Sequence, residues 1–233
     1  LASHDPAAID GMTGPASSQT VPEDLDVLVA QRAAHLAAYQ GEGLARRFRD
    51  AIGRLRETEA RIAPGSTEVS RAAATALSRV MSYKDEYEVA RLYSTDAWRR
   101  MIADEFEGVR GMKLLLAPPL LSRIDPATGR PAKRAFGPWI FPVLRLMARF
   151  RFLRGTVLDP FGHTAERRSE RALAAEVEAA ILHMARDLSA QNRPACLAYF
   201  RAVDEIRGFG PVKEKALAAF NARKLGLLAL LGG

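Results

Sequence analysis

The stretch from Arg123 to Arg154 constrains this chain most, because it is at once the most cationic and the most oily part of it. It holds eight Lys and Arg (Arg123, Arg130, Lys133, Arg134, Arg145, Arg149, Arg151 and Arg154) against a single acid, Asp125. Elsewhere basic and acidic residues balance, so the formal charge of +7 sits in this one segment. Phe136, Trp139, Phe141, Phe150 and Phe152 lie among the arginines. A segment both apolar and positive cannot be a plain solvated face, because buried charges need partners. The acids must come from the surrounding fold or from another molecule. The densest acids elsewhere are Asp85, Glu86 and Glu88, interleaved with Tyr83, Tyr87 and Tyr93. Arg145 and Arg149 are four apart and share a helix face. The expected arrangement is an ion pair inside the fold, from at least one of Asp85, Glu86 and Glu88 to Arg145 or Arg149.

Around this segment the periodicity is helical. Residues 1–21 are rich in Gly, Pro, Ser and Thr without an apolar period, and read as a linker or disordered tail. The remainder, 22–233, reads as a single largely helical domain. A first helix over Pro22–Gln40 carries Leu25, Leu28, Val29, Leu36 and Tyr39 on one face. Gly41 and Gly43 break it. A second, Leu44–Ile62, places Leu44, Phe48, Ile52 and Leu55 together and stops at Pro64-Gly65. Ser66 or Thr67 caps a long third helix that runs through to Tyr93, and Ser94-Thr95 caps a fourth ending at Gly108. Lys113–Leu121 and Lys133–Phe136, joined by the turn-forming Asp125-Pro126-Ala127-Thr128-Gly129, predict a small irregular β-hairpin near the middle of the chain. A helix over Phe141–Arg154 with Pro142 at its first position follows. Thr164 caps the longest amphipathic helix, to about Gln191, with Leu173, Val177, Ile181, Met184 and Leu188 as its stripe. Pro194 opens the next helix, and Gly210-Pro211 the last. The fold class is mainly α.

Composition bounds the chemistry. Apolar content of 48% and charged content of 26% are those of an ordinary globular protein. No run of about 18 apolar residues is present, so no membrane partner is expected. The single cysteine, Cys196, excludes an internal disulfide and a four-thiolate cluster built by this chain alone, and points to a reducing, cytoplasmic setting. The chain opens at Leu1 and not Met, so a piece of a longer polypeptide or a trimmed chain is expected. His4, His35, His163 and His183 are scattered, without ligand spacing. No G-x-S-x-G, Walker loop or G-x-G-x-x-G is present. No catalytic, cofactor-binding or metal-binding residue is therefore assigned. Gly208-Phe209-Gly210-Pro211-Val212-Lys213 resembles a helix-hairpin-helix, whose backbone N–H groups hold a phosphate. That gives an alternative reading as a basic helical nucleic-acid-binding protein. The mixed charge of the flanking residues (Asp204, Glu205, Glu214) favours a glycine cap followed by a Pro-started helix.

Four stretches carry a family resemblance. They are Met81-Ser82-Tyr83-Lys84-Asp85-Glu86-Tyr87-Glu88-Val89-Ala90-Arg91-Leu92; Leu116-Ala117-Pro118-Pro119-Leu120 leading to Phe136-Gly137-Pro138-Trp139; Asp159-Pro160-Phe161-Gly162-His163-Thr164-Ala165-Glu166-Arg167-Arg168; and Ile206-Arg207-Gly208-Phe209-Gly210. Their order resembles the C-terminal region of the long, fused indolepyruvate ferredoxin oxidoreductases, over roughly Leu25 to Leu217. The family often has Tyr where His163 stands and His where Pro211 stands, which argues against a general catalytic role for either. The resemblance implies a parent enzyme that oxidatively decarboxylates an aryl 2-oxoacid with coenzyme A and reduces ferredoxin. It implies thiamine diphosphate, Mg and [4Fe–4S] clusters for that parent. This segment has no Gly-Asp-Gly for the diphosphate's metal and no Cys-rich run, so it corresponds to an accessory domain, with no cofactor of its own. Its expected partners are the remaining domains of the parent. The positive stretch, through Arg130, Lys133 and Arg134, is the candidate dock for acidic ferredoxin or for coenzyme A phosphates.

Overall fold

Apolar residues three and four apart give each long helix one face to bury, and those faces meet in one main core. The computed structural model describes residues 24–105, 111–116, 132–208 and 210–229. The expected tail over 1–21, the hairpin turn at Asp125–Gly129, Arg123, Arg130 and Phe209 lie outside them. The described residues form nine α-helices and one two-stranded antiparallel hairpin.

Helix α1 (Leu25–Gln40) starts at Asp24, whose carboxylate accepts from the Asp26 N–H at 2.9 Å. Only Gly41 separates it from α2 (Glu42–Ile62), and the two pack against each other. Helix α3 (Glu68–Met81) follows Pro64-Gly65. Its first turn is capped from another helix: Glu59 of α2, fully buried, accepts from the N–H groups of Val69 and Ser70 at 2.9 and 2.8 Å. The Ser70 hydroxyl adds a third bond at 2.6 Å. Helices α7 (Ala165–Asp187), α8 (Arg193–Asp204) and α9 (Pro211–Ala229) complete the bundle. Helix α3 packs on α1, α2, α7 and α8, helix α2 also packs on α7, and α9 lies on α8. Phe48, Ile52, Leu55, Leu77, Val177, Ile181, Tyr199, Phe200 and Phe220 are sealed inside. The predicted stripe of α7 is the buried one, with Leu188 just past the helix end.

A second, thinner layer holds α4 (Glu86–Leu92), α5 (Asp96–Glu105), the hairpin of β1 (Leu114–Leu116) and β2 (Arg134–Phe136), and α6 (Ile140–Arg149). Leu114 pairs with Phe136 and Leu116 with Arg134. Helix α6 packs on α4 around a small cluster of Ala90, Leu114, Ile140, Leu144 and Ala148. After Arg149 the chain tightens into a 3₁₀ turn, Phe150–Leu153, which touches α1 and α4.

Several helix boundaries differ from the sequence reading. The long helix expected to reach Tyr93 stops at Met81 and restarts at Glu86. Asp85 makes the break: its extended backbone (φ −116°, ψ −175°) lets its carboxylate cap α4 by accepting from the Glu88 N–H at 2.8 Å. Helix α6 begins at Ile140, so Pro142 is its third residue and costs no internal hydrogen bond there. It ends at Arg149 and not Arg154. Helix α7 ends at Asp187, short of Gln191.

Candidate docking face and the buried polar node behind it

The acid-rich stretch and the cationic stretch do meet, through a different arginine from the pair expected. Arg154 leaves the 3₁₀ turn with extended backbone (φ −50°, ψ 122°). Its guanidinium, 3% exposed, is clamped by Asp85, with Nε to Oδ2 at 2.5 Å and Nη2 to Oδ1 at 2.8 Å. The third corner, Nη1, donates to the Tyr39 carbonyl at 2.8 Å. The same guanidinium lies 3.6 Å over the Tyr39 ring, a cation–π contact in a dry setting. The Tyr39 hydroxyl donates to the Tyr83 carbonyl at 2.8 Å, and burial pushes its ionisation well above the usual tyrosine range. One bidentate pair thus fixes the end of α1, the start of α4 and the end of the cationic stretch.

The chain after Arg154 is held in place by a second buried acid. Asp159 accepts from the Gly155 N–H at 2.8 Å, the Phe161 N–H at 3.1 Å and the Tyr87 hydroxyl at 3.2 Å. Gly155 has φ +75°, a region that side chains rarely adopt. A side chain at Gly162 would meet the Asp159 carboxylate at 2.4 Å, so only glycine leaves room for that acid.

The expected bridges to Arg145 and Arg149 are corrected here. Each acid already has an arginine: Asp85 takes Arg154, Glu86 takes Arg167 at 3.5 Å, and Glu88 takes Arg91 at 2.6 Å. Burial raises the Glu86 carboxyl above the usual glutamate pKa, favouring its neutral form, with Arg167 opposing this. Arg167 also bonds Glu170, which in turn receives Lys213 of α9. The lysine that a phosphate site would need is therefore spent inside the fold. Arg145 and Arg149 are exposed, and among the described residues no carboxylate pairs with them or with the exposed Lys133 and Arg134.

Helix α6 turns Ile140, Leu144 and Ala148 inward. Its outer side is split. Arg145 and Arg149 form one stripe, while Val143, Leu146 and Phe150 form a second beside it, 41%, 55% and 41% exposed. Trp139 stands at the helix start and Phe152 just past its end. All the exposed Trp and Phe of the described residues lie between Trp139 and Phe152. They are not loose, for Trp139 packs edge-on against Phe136 at 5.8 Å and Phe150 against Phe152 at 6.0 Å. The sequence reading had placed the candidate dock at Arg130, Lys133 and Arg134, of which Arg130 lies outside the described residues, and had not singled out the apolar stripe as a surface. Its signal was the helical spacing of Val143, Leu146 and Phe150.

The remaining candidates are structural. Cys196 is fully buried and its thiol is pushed up to about 11. The whole chain has one cysteine, so it does not fit a [4Fe–4S] cluster. Among the described residues, no group of three or more His, Cys, Asp or Glu could hold a metal ion, and no helix is long and apolar enough to cross a membrane. His183 pairs with Asp187 on the surface of α7. A shallow groove of about 580 Å³ runs between α8 and α9, floored by Ala198, Ala202, Ala222 and Leu227.

A family model described as a family of unknown function (DUF6537) matches residues 25–225. No curated protein and no solved structure matches the chain.

Proposed function

The chain belongs to the DUF6537 family, and we propose that it works as the non-catalytic accessory domain of an indolepyruvate (aryl 2-oxoacid):ferredoxin oxidoreductase, packing on the catalytic domains. The observation that carries this reading is where the buried ionisable groups are spent. Glu59 caps a helix, Asp85 holds Arg154, Asp159 holds a turn, and Glu170 joins Arg167 to Lys213. A general acid or base needs a free site facing a substrate, whereas these groups tie helices and turns of the fold together. The family match over 25–225 also runs along nearly the same residues as the motif resemblance.

Within such an enzyme the domain supplies surface and rigidity, and thiamine diphosphate, Mg and the clusters belong to the other domains. The test is to purify the protein from its own cells through a tag on this chain. Indolepyruvate- and coenzyme A-dependent reduction of ferredoxin or a viologen dye should co-purify with it. A homogeneous preparation with no 2-oxoacid-dependent reduction overturns the reading.

A further inference from the structure

We infer that the outer face of α6 docks an acidic protein surface with an apolar centre. This deepens the accessory-domain reading and rests on it for where the partner comes from, but not for the partner's chemistry. Val143, Leu146 and Phe150 leave a water-facing apolar stripe on a helix whose inner face is already satisfied. Arg145 and Arg149 flank it on one side, and among the described residues they meet no acid. Lys133 and Arg134 add two more exposed cations from the hairpin. Aromatic residues and arginine beside an apolar centre are the composition of protein interface cores, and steering by uncompensated cations selects an acidic partner.

Other occupants fit less well. A second copy of this chain would bring the same arginines face to face. Rings that could stack nucleic-acid bases stand only at the two ends of the stripe, and Val143 and Leu146 at its centre give bases nothing to stack on. A bilayer asks only for a broad apolar face, and α6 turns its own inward. What it shows outside is a narrow stripe with aromatic rings held in fixed pairs. The support is rigid as well, because the Arg154–Asp85 pair anchors the segment directly after α6. Such pre-set relief suits a shaped partner.

The experiment places a photo-reactive aromatic residue at Leu146, and separately at the exposed Val27 of α1, in the full-length protein in its own cells. Cross-linked peptides are then sequenced by mass spectrometry. The expected result is a dominant protein adduct at Leu146, absent at Val27, on a peptide rich in Asp and Glu around apolar residues. Combining the Leu146 probe with Arg145→Glu and Arg149→Glu should lower its yield by about tenfold. Adducts only to lipid, nucleic acid, this chain itself or a peptide without excess acid overturn the inference, as does a yield unchanged by charge reversal. Binding of the purified chain to phosphatidylserine/phosphatidylcholine vesicles that is lost on the same reversal assigns the face to membranes and also overturns it. An acid-rich adduct from a protein unrelated to thiamine enzymes sustains this inference and removes the accessory-domain reading. Co-purifying 2-oxoacid activity without any Leu146 adduct does the reverse.

Discussion

In the main bundle Phe48, Leu55, Leu77 and Ile181 are closed off from water on every side, while Leu146 of α6 and Phe150 just after it stand in solvent beside arginines that meet no acid among the described residues. Both regions use the same helical spacing of apolar residues. The bundle has a neighbour for each apolar face: α3 alone packs on four other helices. Helix α6 has chiefly α4 and the short 3₁₀ turn, so it spends Ile140, Leu144 and Ala148 inward and has a second apolar stripe to spare. The bundle is thus closed by its own hydrophobic burial, and the outer layer is held to it by a polar node. A layer fixed by a few directional ion pairs can present a surface that its own core does not need.

The largest expected effect tests that node. Asp85→Ala leaves the Arg154 guanidinium buried without its counter-ion and should cost about 3–5 kcal/mol in urea unfolding. Adding Arg154→Met should recover a substantial part of the loss, since coupled partners are not additive. If the double variant is as unstable as the summed singles, the node does not join the layers.

A core truncation in each region comes next. Leu77→Ala in the bundle should cost about 2–5 kcal/mol. Leu144→Ala, in a cluster of only five buried residues, should fall at about the low end of that range. Hydrogen exchange should separate them further. Leu144→Ala should release α4 and α6 amides while α3 amides keep their protection, and equal loss in both regions would erase the distinction.

Leu146→Ser should change stability by no more than about 0.5 kcal/mol, because the side chain leaves water for nothing in this fold. A larger loss would mean that the stripe is already covered. The smallest effect concerns Glu86, whose carboxyl pKa burial raises above its ordinary value. A carboxyl favoured in its neutral form stabilises the fold fully below its unfolded value, and that contribution fades as pH rises through the folded one. Thermal midpoints of Glu86→Gln relative to the parent should therefore climb from pH 4 to pH 7. A flat difference would show that Arg167 cancels the burial.

Much of this architecture was legible in the sequence. Gly41, Pro64-Gly65, Thr164 and Pro194 mark helix ends because their backbone preferences are local, and the stripe of Leu173, Val177, Ile181 and Met184 shows its face by period. The hairpin pairs Leu114–Leu116 with Arg134–Phe136, as its apolar run and return suggested. The break at Asp85 was not legible, since no Gly or Pro marks it. The carboxylate that ends one helical segment is held there by an arginine sixty-nine residues later in the chain. Nor could spacing choose among arginines. Arg145 and Arg149 share a face, yet nothing in the period tells which side of α6 is covered, and Arg154 is singled out only by the tertiary turn at Gly155. The pairing of acidic and cationic stretches followed from the cost of burying charge, and its particular partners followed from topology.

The bond from Arg154 to the Tyr39 carbonyl links positions 115 residues apart. During synthesis, α1, α2 and α3 leave the ribosome long before that cation exists. The bundle's first three helices can find one another early, while the Asp85 carboxylate stays hydrated and α4 has no fixed bearing. The outer layer therefore takes its bearing only after those three helices have emerged, and a nascent chain exposes Asp85 and Glu86 before it acquires the Arg154 and Arg167 that answer them.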